Sequence, residues 1–382
     1  MRGKTKKRIR KLHLWLGMLS GIVVFIIAIT GAIYVFSEEI KSVIYKDRRI
    51  IEVPSNQERI PVTELVKIAE AQFDNSYKFQ NIIIPNFPNH TVSITFNETD
   101  EKGFGYSNYV KFNKTIYLNP YNGKVVKIED TKWEFFNVVF WIHISLFLGY
   151  NSISSHIIIW STCIFIVLLI SGFALWWPNK KQRKHSFSFK WKKNARWRRK
   201  NYDVHRILGF YIFSIGILLA CTGLMWASKS FNTTVKWIAN GGKEIIEKEL
   251  SKPKETKEAL FPLDKILNTT VHLFPESKYI LIRRHPKEQV PYIVRSYISE
   301  TVNFTRIEML FGRKTGEILD VKHYSDKNNG EKLQALNYDL HVGSIGGIPT
   351  KIIAFIASLI IASLPLTGFL IWYGKKKKSR IS

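Results

Sequence analysis

Four of the ten histidines recur at matched positions. His13-Leu-Trp-Leu-Gly17 answers His205-Arg-Ile-Leu-Gly209, and seventeen residues after each histidine stand Thr30-Gly31 and Thr222-Gly223. His143 and His341 are each followed by a glycine-containing turn. Ser171-Gly-Phe-Ala-Leu-Trp176 and Thr367-Gly-Phe-Leu-Ile-Trp372 then follow, at spacings of 28 and 26. A single histidine at the edge of an apolar run needs no function, because its ring lies along apolar surface while its polar tip reaches water. Four at repeated positions ask for another explanation. Two imidazoles from different helices, facing each other across a bundle, are the axial ligand set of a six-coordinate b-type haem, which needs neutral nitrogen donors and an apolar slot. No Cys-x-x-Cys-His is present, which excludes c-type attachment. Zinc asks for four ligands, with thiolates or carboxylates nearby, and the apolar runs hold no carboxylate. The expected sites are therefore two haem b groups, one held by His13 and His205 and one by His143 and His341.

The elements that must position these residues are membrane helices. Leu14–Phe36, Ser154–Trp177, Ile207–Ser228 and Ile352–Tyr373 are runs of 22 to 24 residues without Asp, Glu, Lys or Arg. Each is long enough to cross a hydrocarbon core of about 30 Å. The net charge of +27 is concentrated at their flanks: 23 of the 57 Lys and Arg lie in residues 1–13, 178–204 and 375–380. Charge at the borders of apolar runs is a membrane pattern rather than a nucleic-acid one, and no nucleic-acid partner is expected. Basic residues gather beside short cytoplasmic loops, which puts both termini and the 178–204 loop inside and the two long segments outside. The first run is expected to stay as a helix, being too long for a signal peptide and without a small-residue cleavage site after it. Cys163 and Cys221 lie inside the second and third runs, so no disulfide framework or zinc site can be built from them.

The matched motifs make the chain a duplication, roughly residues 1–178 and 199–374. Helices 1 and 3 then run in one sense, so the repeats are parallel. Each outer segment reads as a small α+β module. The first has a helix at Val62–Phe73 and strands at Ile82–Ile84, Thr91–Phe96, Tyr109–Leu118 and Lys124–Ile128, with a turn at Asn119-Pro-Tyr-Asn-Gly123. The second has a helix at Leu263–Leu273, strands at Tyr279–Arg283, Tyr292–Ser299 and Arg306–Phe311, and Gly312-Arg-Lys-Thr-Gly316 in the place of the turn. Seventeen helical residues cover about 26 Å, which sets Gly31 and Gly223 level with the outer histidines and Gly172 and Gly368 level with the inner ones. A missing side chain there admits a flat macrocycle or another helix equally well. His156 competes with His143 for the outer ligand role but has no repeat partner. His90, His272, His285 and His323 lie in the outer modules as surface or structural histidines.

His13-x-x-x-Gly17 with Thr30-Gly31, Trp141-Ile-His143 with Leu146-Phe-Leu-Gly149, His205-Arg-x-x-Gly209 with Thr222-Gly223, and Leu340-His-Val-Gly343 with Thr367-Gly368-x-x-x-Trp372 recur in this order. Together they resemble the PepSY-associated transmembrane proteins, which include inner-membrane ferric-siderophore reductases and iron-regulated membrane proteins. Asn119-Pro-Tyr-Asn-Gly-Lys-Val-Val126 resembles the turn and last strand of the PepSY module, whereas Gly312-Arg-Lys-Thr-Gly316 lacks the usual Asp-Pro. The resemblance implies a di-haem b protein of the bacterial inner membrane. It would pass electrons from a quinol or cytoplasmic reductase to a periplasmic Fe(III) chelate such as a ferric siderophore, with release of Fe(II).

The expected fold is an α-helical membrane protein with four transmembrane helices in two parallel repeats and two outer PepSY-like modules. Its expected segments are 1–37 (cytoplasmic N-terminus and helix 1), 38–142 (first periplasmic domain), 143–178 (outer histidine and helix 2) and 179–204 (basic cytoplasmic loop). They continue with 205–228 (helix 3), 229–340 (second periplasmic domain), 341–374 (outer histidine and helix 4) and 375–382 (cytoplasmic tail). Two other functions compete with redox activity. A regulatory protein would bind a peptide or protease through its outer modules and use its helices only as anchors, with no haem absorbance. A transporter is disfavoured because no Asp, Glu, Lys or Arg lies within the helices.

Overall fold

The computed structural model describes residues 3–55, 57–150, 152–178, 186–189, 191, 194–243 and 258–379. The basic loop expected at 179–204 falls partly outside the described residues, Lys192 included, and so does the end of the tail expected at 375–382.

The chain begins with a long helix, α1 (Gly3–Val35), followed at once by a short one, α2 (Ser37–Ile44). The first outer segment contains α3 (Val62–Ala71), β1 (Asn81–Pro85), β2 (Val92–Thr99), β3 (Val110–Leu118) and β4 (Val125–Glu129). It returns through α4 (Phe135–Ser145) into α5 (Ser152–Trp176). After the basic loop come α6 (Trp197–Tyr211), α7 (Phe213–Ala227) and α8 (Lys229–Ala239). The second outer segment holds α9 (Pro262–Leu273), β5 (Tyr279–Arg283), β6 (Tyr292–Tyr297), β7 (Ile307–Phe311) and β8 (Ile318–Lys322). It returns through α10 (Asn329–Val342) into α11 (Ile348–Ser379).

Three of these helices, α1, α5 and α11, are each long and apolar enough to cross a membrane. The third expected span differs. Ile207–Ser228 is one apolar run in sequence, but α6 and α7 are bent by 62° where they meet and qualify as a span only together. Hydropathy has no term for direction, so the bend at Ile212 leaves no trace in the composition. α1 and α6 begin well before their apolar runs and α11 ends beyond its own, because Lys and Arg are good helix formers and hydrogen bonding continues into the polar zone. α1 packs along α11 through small residues. Ala28, Ala32, Ala357 and Ala362 are buried, and a Cβ built at Gly21 would lie 3.4 Å from Pro365. Close approach of this kind is what holds helices together in lipid, where apolar burial gives no net drive.

The outer region departs most from expectation. The two α+β segments share one eight-stranded antiparallel sheet, ordered β4-β3-β2-β1-β5-β6-β7-β8. They join at β1 and β5, where Ile82 faces Ile282 and Ile84 faces Ile280. Either four-stranded half alone would present an apolar edge with free N–H and C=O groups, and pairing the two edges removes that liability. One core runs through both halves and includes Leu65, Ile82, Ile94, Ile266, Ile282 and Phe311. β8 was not expected. It repeats the pattern of β4, with Ile-Leu-Asp-Val-Lys against Val-Val-Lys-Ile-Glu, and so completes the likeness of the two halves. The turn before it closes as its counterpart does: Gly123 N–H donates to Asn119 O and Gly316 N–H to Gly312 O, both at 2.9 Å, with positive φ at Gly123 and Gly316. The missing Asp-Pro therefore does not alter the turn.

Candidate functional site

The four repeated histidines come together as two pairs. His13 on α1 and His205 on α6 have ring centroids 6.3 Å apart, with planes at 87°. His143 on α4 and His341 on α10 have centroids 6.1 Å apart, with planes at 65°. The second pair lies on the side of the bundle that carries the sheet, and the first on the far side. α4 and α10 run through 142/143 and 340/341, where the outer domains were expected to end. Each of these histidines thus belongs to the helix that leads out of the sheet. A chain reversal follows each helix: Leu146 and Phe147 adopt positive φ after α4, and Gly343 after α10. His156 is exposed on α5. His90, His272, His285 and His323 lie in the outer region, at or between elements of the two modules.

Each imidazole is tied through Nδ1 to a hydroxyl on a facing helix. His13 meets Ser171 Oγ at 2.8 Å, His205 meets Thr367 Oγ1 at 2.9 Å, and His341 meets Thr222 Oγ1 at 2.8 Å. His143 lies 3.3 Å from Thr30 Oγ1 and 2.9 Å from the carbonyl of Ile27. A carbonyl only accepts, so Nδ1 of His143 carries the proton. The other three follow from counting hydrogens. Ser171 donates to Leu168 O, Thr222 to Leu218 O and Thr367 to Ser363 O within their own helices. A hydroxyl has one hydrogen. With Nδ1–H as the donor each of these hydroxyls keeps the bond to its own helix, and in that tautomer the lone pair of all four rings stands on Nε2. The described hydrogen bonds of the four rings all fall on Nδ1. A hydrogen bond at one nitrogen that sets the tautomer and frees the other is how ligand histidines are prepared for a metal.

The glycine after each hydroxyl has a steric role. A Cβ at Gly31 would lie 3.0 Å from His143 Cε1, at Gly172 3.2 Å from His13 Cε1, and at Gly223 and Gly368 3.4 Å from His341 and His205 Cε1. The hydroxyl orients the ring in all four dipeptides, and at Gly31 and Gly172 the glycine also makes room for it, whereas a Cβ at Gly223 or Gly368 would only touch the ring. Sequence reasoning placed the glycines at the right levels but assigned nothing to Ser171, Thr367, Thr30 and Thr222. The signal was present, since a hydroxyl precedes the glycine in all four motifs.

The donor set can be tested against haem. An iron–nitrogen bond of about 2.0 Å, as for other imidazole–metal bonds, plus about 1.1 Å from nitrogen to ring centre places two opposed ligand rings about 6.2 Å apart. Both pairs match that separation. Two imidazoles also suit a metal that brings four donors of its own. Among the described residues no three His, Cys, Asp or Glu gather into a metal-ion cage. On the sheet side, burial first and the neighbouring His143 second push the His341 imidazole down to about 3, which keeps it neutral as a ligand must be.

A family model described as the PepSY-associated TM region matches residues 10–375. No curated protein matches the chain.

Proposed function

The chain belongs to the PepSY-associated transmembrane family, and from that premise we propose that it is a di-haem b electron-transfer protein that reduces an external ferric chelate. The observation that carries the reading is the matched pair of histidine pairs, each with ring centres just over 6 Å apart and with the described side-chain bonds of its rings on Nδ1. Haem bound at the two pairs would supply one-electron Fe(III)/Fe(II) exchange on both sides of the bilayer. His13 and His205 would hold the cytoplasmic group, and His143 and His341 the outer one. Ser171, Thr367, Thr30 and Thr222 orient the rings, Gly31 and Gly172 clear space beside them, Gly223 and Gly368 lie against them, and the apolar helices exclude water. The substrate is a ferric siderophore or a similar Fe(III) complex: one electron reduces its iron, and oxygen ligands hold Fe(II) less tightly.

The same reading supplies the setting. The protein sits in a bacterial inner membrane as two parallel repeats, with both termini and the basic loop in the cytoplasm. A quinol or a cytoplasmic reductase is the donor. Cysteine labelling checks the orientation: positions 119 and 287 should react from outside and position 192 only after permeabilisation. The function itself is tested by absorbance spectra of the purified protein, oxidised and dithionite-reduced, followed by stopped-flow reoxidation with a panel of ferric siderophores. Bis-histidine haem bands and reoxidation faster than in buffer are expected. A colourless protein would leave the family membership standing and remove the redox function.

A further inference from the structure

The two members of each histidine pair are not held alike. On the far side, Asn201 stands one helical turn before His205, and its Nδ2 donates to the main-chain oxygen of Thr367 at 3.0 Å. His205 bonds the hydroxyl of the same threonine. On the sheet side, Asn337 stands one turn before His341 and donates to the main-chain oxygen of Thr222 at 3.1 Å, while His341 bonds that residue's hydroxyl. Asn-x-x-x-His thus grips one threonine at two points, at both ends of the bundle. Residues four apart on a helix share a face, so one turn delivers both groups to the same target. The corresponding positions before His13 and His143 are Ile9 and Val139, which have no polar side chain.

We infer that Asn201 and Asn337 are positioning residues that make His205 and His341 the fixed member of each pair and leave His13 and His143 as the yielding member. His13, with its bond to Ser171, and His143, with its bonds to Thr30 and the Ile27 carbonyl, sit on turns with no such amide anchor, so each ring can shift as its own helix shifts. A ring whose backbone is anchored to the residue it bonds cannot move without breaking both contacts. Asn337 is 1 % exposed, so its bond is shielded from competing water. One rigid and one compliant ligand at each pair would let the group enter and be exchanged from one side only. The inference rests on reading the four histidines as ligands, but its geometry exists without any ligand.

The test is therefore made in both states. In the haem-free full-length protein, deuterium exchange at the four histidine Cε1 positions is followed by mass spectrometry. N337L should speed exchange at His341 several-fold and leave His13 and His205 unchanged, and N201L should do the same at His205 alone. Wild-type His13 and His143 should exchange faster than their partners. In the haem-loaded protein each variant should lose about tenfold in haem affinity, as outer ligand-orienting contacts typically do, and gain carbon monoxide binding in the reduced state. Unchanged exchange at His341 and His205 would overturn the proposal. Equal acceleration at all four histidines would overturn it too, because the amides would then be general packing contacts. If the protein binds no haem but the exchange pattern holds, the redox reading fails and the clamp stands.

Discussion

His13 and His205 sit on α1 and α6, helices that enter the membrane bundle, and each ring is bonded by a hydroxyl from another such helix. His143 and His341 sit on α4 and α10, short helices that leave the sheet and stop at a chain reversal before the next span begins. Their hydroxyl partners still belong to spanning helices, Thr30 on α1 and Thr222 on α7. The far-side pair is thus built by the bundle alone, and the sheet-side pair by the bundle and the sheet together. α4 is capped by Glu134, whose carboxylate accepts from Phe136 N, Asn137 N and the hydroxyl of Tyr45 at the end of α2. α10 is capped by Asn328 and Glu331. Within it, buried Asp339 accepts from the amides of Asn303 and Phe304 in the loop after β6. The same paired-histidine geometry is reached by two different supports, which gives the sheet-side pair a second way to fail.

The most drastic way to break the comparison is to remove the ligands. His13→Ala or His205→Ala should abolish one haem and leave the other, and His143→Ala or His341→Ala the reverse, so each variant keeps about half the haem by pyridine haemochrome assay. Full haem content in any one of the four would end the pairing. Next in size, Gly31→Leu drives a side chain into the ring of His143, where even a Cβ would come within 3.0 Å. It should remove the sheet-side site while the far-side spectrum survives. Gly368→Ala, at 3.4 Å from His205, should cost far less.

The supports are expected to separate the two pairs. Asp339→Ala leaves the amides of Asn303 and Phe304 without their acceptor, a loss of roughly 1–3 kcal/mol for each buried donor left unsatisfied. Thermal denaturation should show it, and only the His143–His341 spectrum should broaden. Glu134→Ala removes a helix cap worth about 1 kcal/mol and should act in the same direction with a smaller shift. If either variant disturbs the far-side pair equally, the two supports are not independent. The smallest expected effect is at Thr30→Val, because His143 keeps its bond to the carbonyl of Ile27. Thr222→Val and Thr367→Val remove shorter bonds, 2.8 Å to His341 and 2.9 Å to His205 against 3.3 Å between Thr30 and His143, and should perturb the potential more.

Much of this was legible in the residues because the chain spells each site twice. His13 and His205, with Thr-Gly seventeen residues on, announce both the spans and the pairing, and a membrane restricts such motifs to helices. Strands β1 to β7 followed from apolar and β-branched runs, several of them alternating, between turn residues. The sharing of one sheet did not, because Ile82 and Ile282 show only that each strand has an apolar face and not which edge meets which. β8 was missed although its residues match β4 in pattern, and the bend at Ile212 was hidden by an apolar run that reads as a straight helix.

Sequence by itself determined the number of apolar runs, their flanking charge, and the histidines and glycines that fall level with one another. These depend on local composition and on the fixed rise of a helix, which the chain carries in its order. Only the tertiary structure decided that Ser171, Thr367, Thr30 and Thr222 each bond a carbonyl of their own helix and a histidine of another. It also decided that Asn201 and Asn337 grip the threonines their histidines bond, and that the two outer halves close into one sheet. Hydrogen-bond direction and edge pairing depend on which groups meet across more than a hundred residues of chain, and no local pattern encodes that meeting.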